Sequence, residues 1–477
     1  MKDIFFDKTL TTDNENVKKF ANDFVLNGYN KDLKRDYIVC LIANLRKSKY
    51  NKLIVPQHKN DYVCSKQDNL NAPHYKYSIM KEITLKLEKE GYITINNPFH
   101  FLEMATTIES TDKLWYNLVN IDVYTKYNNP LLLRKTIKTK IKVFENGKIK
   151  FKTIKKKINV DYRKTKKTEK IIEQIKKYNS YILNHKFELL IPIDFLNETN
   201  DCEFNWICNF FDFFQNTGQL TNNSLTSVVS KSCGAEERGV EGIDEVGSLV
   251  KPSLFIWRTI CPSSLSLHRV FNAIFDGVCG KKKYWVYGGR FYGSLIQNIP
   301  HRLRKFILID GEKTCEPDFC NMQVRLLYHL DGLEFSGDAY GEKNRDLVKL
   351  VSLICLNSKN KIEAKYAIKD TFVDLVKSGK KYDDDITDPV FIMNLITNFE
   401  QLHKPIKKYF YTNIGCELQA IESNITSEIL NEFISNDKGI VSIHDSFRIR
   451  ISDKDECIKI MNEKYFEKLN FYPLIKR

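Results

Sequence analysis

Two short acidic stretches constrain this chain more than anything else in it. The first reads EPDFCNMQVRLLYHL, Glu316 to Leu330. Before it, Phe306-Ile307-Leu308-Ile309 is apolar and β-favouring. After it, Met322, Leu326, Leu330 and Leu333 recur at helical spacing, with Arg325 among them. The pattern predicts that a strand ends and a helix begins at Asp318. Such a junction exposes backbone carbonyls beside the acid, and hard divalent cations prefer oxygen ligands. The second stretch is GIVSIHDSFRIRI, in which Phe447, Ile449 and Ile451 alternate with Arg448 and Arg450 beyond a polar tip. Period two about a tight polar tip predicts a β-hairpin with Asp445 at its turn. On neighbouring strands of one sheet, two acids can hold a pair of Mg²⁺ ions, which clamp the attacking and leaving oxygens of a phosphoryl transfer. The same residues also fit a plainer reading, with Asp318 as a helix N-cap and His444-Asp445-Ser446 as an ordinary turn.

Further stretches stand in a fixed order around these two. Gly289-Arg290 lies in YGGRFYG, and Gln297-Asn298-Ile299-Pro300 follows. Arg345, Lys349, Leu353 and Asn357 are spaced by four residues, and Gln419 lies in CELQAIESNITSEIL. Together with EPDF and IHDSF, this series resembles the family A DNA polymerases, and more distantly the single-subunit phage RNA polymerases, over about residues 265 to 470. The resemblance implies an α+β right-hand polymerase, with a palm built on an antiparallel sheet, helical fingers and thumb-like elements. It implies that Asp318 and Asp445, with the carbonyl of Phe319, hold two Mg²⁺ ions, with Mn²⁺ as the alternative. Arg345 then grips the outer phosphates of the nucleotide. Lys349 sits nearer the α-phosphate and protonates the leaving pyrophosphate as a general acid. Arg290, Gln297, Gln419 and His444 would contact primer-template, with His444 orienting the turn or the primer end rather than binding metal.

Four positions depart from the family pattern. Phe319 stands where a tyrosine is usual, Gln323 where DNA-making members have a glutamate, and Leu353 and Asn357 where the fingers helix carries aromatics. All bear on sugar choice. A neutral amide at Gln323 can donate to a 2′-hydroxyl as well as crowd it, so the expectation is a preference for dNTPs with raised tolerance of NTPs. No acid cluster in the first half resembles a proofreading exonuclease. The leading expectation is a DNA-directed DNA polymerase of a replicon, phage or mobile element. The alternatives are a primase or RNA polymerase, and a replication initiator that keeps the fold without catalysis.

Charge is concentrated. Residues 134 to 177 hold 18 Lys and Arg against 4 Asp and Glu, while the whole chain carries +14. Lys138, Lys140 and Lys142 alternate with Ile137, Thr139, Ile141 and Val143, as on a strand with one basic face, and Lys155-Lys156-Lys157 follows. Such a strip suits phosphate backbones through counterion release; a solvated linker is the plainer reading. Upstream, Ile38, Leu41, Ile42 and Leu45 mark one helix. Ile79, Ile83, Leu85 and Leu87 mark another, with Ser78 as N-cap, Lys81, Lys86 and Lys89 outward, and Gly91 then a strand. Helix, glycine and strand resemble a winged helix, which implies duplex binding. The expected organisation is a winged-helix-like module over 1–125, a basic and aromatic-rich thumb-like region over 126–216, and a linker or insertion over 217–264. The polymerase-like part follows over 265–477. The linker holds 5 of the 20 glycines and 8 serines. The 12 cysteines show no paired CxxC spacing, and no apolar run approaches ~18 residues. A monomer in the cytoplasm, with DNA and nucleoside triphosphates as partners and no membrane, is the expectation.

Overall fold

Alternating apolar residues over 440–450 do build a hairpin, and the sheet around it holds both acids. The computed structural model describes residues 4–5, 10–25, 30–48, 53–55, 77–96, 106–115, 118, 121, 123–125, 130–145, 148–160, 162–211, 255–275, 282–283 and 285–476.

The N-terminal part contains helices α1 (Glu15–Phe24) and α2 (Lys31–Ser48), strand β1 (Leu53–Val55), helix α3 (Tyr77–Lys89) and strands β2 (Ile93–Asn96) and β3 (Thr106–Ser110). β3 lies between β1 and β2, antiparallel to both. Val17, Tyr37, Ile38, Leu41, Ile83 and Ile93 form a core of its own. α3 buries Ile79, Ile83 and Leu87 and ends at Gly91, whose φ of +76° suits glycine. There Tyr92 N–H donates to the Leu87 carbonyl at 2.9 Å and Gly91 N–H to that of Glu88 at 2.8 Å, closing the helix. Two expectations are corrected. Ser78 lies inside the first turn rather than at the N-cap, and Leu85 is exposed, because the buried stripe runs through Met80 and Thr84 instead. Lys86 stays exposed, as expected, while its ammonium donates to the Phe24 carbonyl at 2.8 Å at the end of α1.

The basic stretch is neither a linker nor a single strand. β4 (Leu131–Glu145) and β5 (Lys148–Asn159) form a long antiparallel hairpin, whose register sets Lys155 opposite Lys138, Lys156 opposite Ile137 and Lys157 opposite Thr136. Helix α4 (Lys166–Tyr181) follows, opened by a reciprocal Thr165–Thr168 cap. It buries Ile171, Ile175, Tyr178 and Tyr181 while Lys166, Lys167 and Lys170 stay exposed. Next come β6 (Phe187–Pro192), α5 (Asp201–Phe210) and β7 (Phe255–Ile260). β6 was expected among helices. It is instead an apolar strand paired with β7, and β7 itself occupies part of the expected linker. Residues 217–254 lie outside the described residues.

The remainder comprises β8 (His268–Asn272), β9 (Gly288–Tyr292), β10 (Ile307–Ile309), β11 (Glu312–Cys315), β12 (Asp318–Phe319), α6 (Met322–Leu330) and α7 (Arg345–Asn357). It continues with α8 (Lys361–Lys377), α9 (Pro389–Leu402), α10 (Gly415–Ser435), β13 (Ile440–Ile443), β14 (Ser446–Arg450), α11 (Lys454–Leu469) and β15 (Ile475–Lys476). The main sheet runs β7-β6-β10-β11-β14-β12-β15, with β13 also on β14, and its pairings are antiparallel. A second sheet runs β9-β8-β4-β5, with β8 parallel to β4. One core joins them, from Leu131 through Tyr178 and Phe187 to Phe447 and Tyr465. Tyr178 ties α4 to the hairpin by donating to the Ile440 carbonyl at 3.0 Å. The architecture is therefore α+β, with the sheet crossing the boundary expected at residue 265.

Two local expectations are also corrected. The apolar strand does not run into Asp318: β10 turns through Gly311 into β11, and Asp318 sits on the separate β12. α6 ends at Leu330, and Leu330 and Leu333 are exposed. The helix is instead buried almost all round, at Met322, Val324, Arg325, Leu326 and Leu327. Among the described residues no helix is long and apolar enough to cross a membrane.

Candidate active site

β12 is only two residues long, so its neighbours hold it. Asp318 lies opposite Ser446 on β14 and opposite Lys476 on β15. Phe319 N–H donates to the Asp445 carbonyl at 3.3 Å, Phe447 N–H to that of Pro317 at 3.1 Å, and Cys320 N–H to that of Leu474 at 2.8 Å. The main chain thus sets Asp445, at the hairpin turn, directly beside the strand of Asp318. Asp318 is not a helix N-cap. That position belongs to Asn321, whose side chain makes no capping bond. The Phe319 ring is buried between Phe447 and Tyr465, 6.5 and 5.8 Å away between centroids, which leaves only its main chain for a cation.

The electrostatics of this pocket are strained. Burial, then the Asp445 and Glu316 carboxylates, push the Asp318 carboxyl up to about 7, while Lys349 and Lys476 oppose the rise. Glu316 is itself compensated. It accepts from Arg304 at 3.2 Å, from the Ser446 hydroxyl at 3.0 Å, and from Arg448. Arg448 is buried, because β14 lies inside the sheet. Asp318 and Asp445 have no ion pair among the described residues. Two crowded carboxylates that no ion pair occupies are a donor set that suits a hard cation. Among the described residues, however, no group of three or more His, Cys, Asp or Glu side chains is arranged to hold a metal.

His444 occupies the first of the two turn residues with φ +61°, a conformation that favours glycine there. Its ring stands edge-on to Tyr292 at 5.7 Å, its Nδ1 has no hydrogen-bond partner, and burial and then Arg290 hold its pKa below the usual histidine value.

Arg290, on β9, reaches the same corner but not as a free side chain. Its Nε and Nη2 fork onto the two carboxylate oxygens of Glu422 on α10, each at 2.8 Å. Glu422 is 1% exposed. Burial pushes its carboxyl up, to about 7, and Arg290 opposes this. The forked contacts are the geometry of an ionised pair. Gly289, at φ +88°, makes the approach possible: a Cβ there would stand 2.7 Å from Ser423 Oγ. The close approach is thus to a helix of the protein itself. Gln297 is committed internally as well, its amide donating to the Phe291 and Ser442 carbonyls at 3.1 Å each, which ties β9 to β13. Gln419 is half-buried one turn before Glu422 on α10.

α7 presents the expected row of four. Its buried face is Leu347, Val348, Val351, Ser352, Cys355 and Leu356, so Arg345, Lys349, Leu353 and Asn357 fall on the other side. Arg345 pairs with Asp338 at 2.9 Å, both well exposed. Lys349 is exposed, has no ion pair among the described residues, and acts on Asp318. Leu353 is exposed, and the Asn357 amide donates to the Leu353 carbonyl at 2.8 Å. Gly415, at the start of α10, gives Asn357 its room: a Cβ there would lie 2.2 Å from Asn357 Oδ1. Gln323 is half-buried in the first turn of α6.

Four residues of the site were not singled out in the sequence, although Glu316 and Glu422 lie within the quoted stretches. Glu316, Glu422 and Lys476 meet the acids only through strand and helix pairings that no local pattern encodes. Tyr340, before α7, stands near Arg345, Asp338 and Asp445, and burial pushes its phenol up to about 12. For Glu422 a weak signal existed, a carboxylate in the otherwise apolar or small run through Ala420 and Ile421 to Ser423. No protein-family model matches the chain, and no curated protein sequence matches it.

Proposed function

We propose that the chain is a template-directed nucleotidyltransferase, a DNA-directed DNA polymerase of the family A type. The observation that carries the reading is that Asp318, on β12, lies beside the hairpin turn holding Asp445, neither acid in an ion pair among the described residues, with the exposed Lys349 of α7 near enough to lower the Asp318 carboxyl. Asp318 and Asp445, with the main chain at Phe319, would hold Mg²⁺, which supplies charge stabilisation at phosphate oxygens. Lys349, uncommitted to any described ion pair, is placed to meet an α-phosphate and to give a proton to the leaving pyrophosphate. Arg345, at the outer end of the same row, would release Asp338 to take the outer phosphates. Arg290, held by Glu422, keeps Nη1 for a duplex lying over β9. Exposed Lys157, Lys166, Lys167 and Lys170 would bind backbone phosphates, and α3 with the β2–β3 hairpin would meet duplex as a winged helix does.

Primer extension tests this reading, with dNTPs or NTPs and with or without a primer. The expected result is primed incorporation of dNTPs, slower use of NTPs, and loss of both in Asp318→Ala and Asp445→Ala with duplex affinity kept. Unprimed synthesis from NTPs would make it a primase or RNA polymerase. Duplex binding without incorporation under any condition would make it a non-catalytic initiator.

A further inference from the structure

We propose that Lys476 is a phosphate-binding residue of the nucleotide site, set directly opposite Asp318 by the pairing of β12 with β15. The inference rests on the polymerase reading above and extends it to a residue outside every stretch that suggested that reading.

Strand register carries the argument. β12 is paired on both sides, with Asp318 opposite Ser446 on one and Lys476 on the other. Residues directly opposite in antiparallel strands put their side chains on one face, with Cβ atoms ~4.5–5.5 Å apart. Ser446, Asp318 and Lys476 therefore form a row. Ser446 is occupied, its hydroxyl donating to Glu316 at 3.0 Å. Lys476 is exposed, and among the described residues it makes no ion pair, with Asp318 or with any other acid. β15 is fixed by main-chain bonds, among them Cys320 N–H to the Leu474 carbonyl, so the lysine side chain is not needed to hold the strand.

A second cation looks at the same carboxylate from another element. Lys349 stands on the exposed side of α7 and, like Lys476 on β15, makes no ion pair among the described residues. One lysine from the helix and one from the sheet, each uncommitted, flank an acid that would hold a cation. That arrangement suits a ligand carrying several negative charges and bridging the two sides, such as the triphosphate of a nucleotide. An ammonium binds phosphate as a mobile point charge and needs no fixed fork, so an exposed strand-edge lysine is adequate. A lysine serving only to neutralise Asp318 would close onto it as an ion pair, and no such contact is present.

The test compares the parent with Lys476→Ala, Lys476→Gln, Lys476→Arg and Asp318→Ala. It measures steady-state incorporation, affinity of the next nucleotide on a dideoxy-terminated primer-template, duplex affinity and unfolding midpoint. One charge-assisted phosphate interaction is worth about tenfold in binding. The Ala and Gln variants should therefore raise the nucleotide KM and Kd by about tenfold. Their kcat, duplex affinity and unfolding midpoint should stay near the parent values, and Lys476→Arg should recover most of the affinity. An unchanged nucleotide Kd in both neutral variants, with Asp318→Ala inactive, would overturn the assignment and leave the polymerase reading intact. A lowered unfolding midpoint in both neutral variants without rescue by arginine would overturn it in favour of a structural lysine. Full activity in Asp318→Ala would instead sink the polymerase reading, and the assignment of Lys476 with it.

Discussion

Asp318 is the residue on which most of the site's energetics turn. A carboxyl raised from 3.8 to about 7 binds its proton more tightly in the folded protein than in the unfolded chain. The sign follows from linkage. The folded state is penalised where the group is ionised, fully above pH ~7, partly between ~4 and ~7, and not at all below. Replacing the charge should therefore stabilise the protein at high pH. In metal-free buffer at pH 8, Asp318→Asn is expected to raise stability by about 1–2 kcal/mol, a figure reduced from the full shift for solvent screening. The gain should shrink as pH falls toward 5, and Mg²⁺ should narrow it by stabilising the parent alone. Unfolding midpoints of both proteins at pH 5 and pH 8, with and without Mg²⁺, check this. A gain independent of pH would show that the penalty on the ionised Asp318, from burial and then from Asp445 and Glu316, is not the source.

At the scale of elements, the packing of α10 against β9 holds the corner where Arg290, Glu422 and His444 meet. It depends on Gly289. An alanine there would have to keep φ near +88° and find room for a Cβ 2.7 Å from Ser423 Oγ and 2.8 Å from the Phe271 ring. The left-handed conformation alone costs about 1–2 kcal/mol in a residue with a side chain. Gly289→Ala is expected to destabilise by at least ~2 kcal/mol and to weaken primer-template binding along with the Arg290–Glu422 pair. Denaturant unfolding and duplex binding would measure both, and a change below ~0.5 kcal/mol would mean that α10 has more freedom than its packing indicates. Elements of this kind were legible in part. α7 follows from its spacing, because it buries one regular face, and the β13–β14 hairpin follows from alternation about a polar tip, although both of its strands are buried on both faces; α10 was expected only from the resemblance. β12 was not legible, since a two-residue strand has no period and exists only through its neighbours. β6 was likewise hidden, because FELLIP becomes a strand by pairing with β7 and β10, which are distant in sequence. The burial of Arg448 was not legible for a related reason: alternation says which residues share a face, not whether that face meets water.

The whole molecule carries its charge excess on two adjoining elements, the β4–β5 ribbon and the outer face of α4, while the sheet with the acids has few uncommitted cations near it. The ribbon pairs over twelve positions, from Arg134 with Asn159 to Glu145 with Lys148. At ~3.3 Å per residue it extends about 40 Å, comparable with one turn of duplex at ~34–36 Å. A ribbon of that reach can touch several successive phosphates, and each phosphate it neutralises releases condensed counterions. The expected consequence is a steep salt dependence that is the same for every sequence. Every duplex phosphate that goes unneutralised flattens the slope of log affinity against log salt by ~0.9. Lys155→Ala, Lys156→Ala and Lys157→Ala together should therefore reduce the slope by up to ~2.7. Lys166→Ala, Lys167→Ala and Lys170→Ala should give a similar reduction if α4 follows the same backbone. Incorporation at saturating primer-template should be unchanged in both triple variants, since neither set acts on Asp318. Binding isotherms at several salt concentrations on two unrelated duplex sequences measure the effect. An unaltered slope in both variants would make the ribbon a structural arm, and a weakening confined to one sequence would make it a reader of bases instead of phosphates.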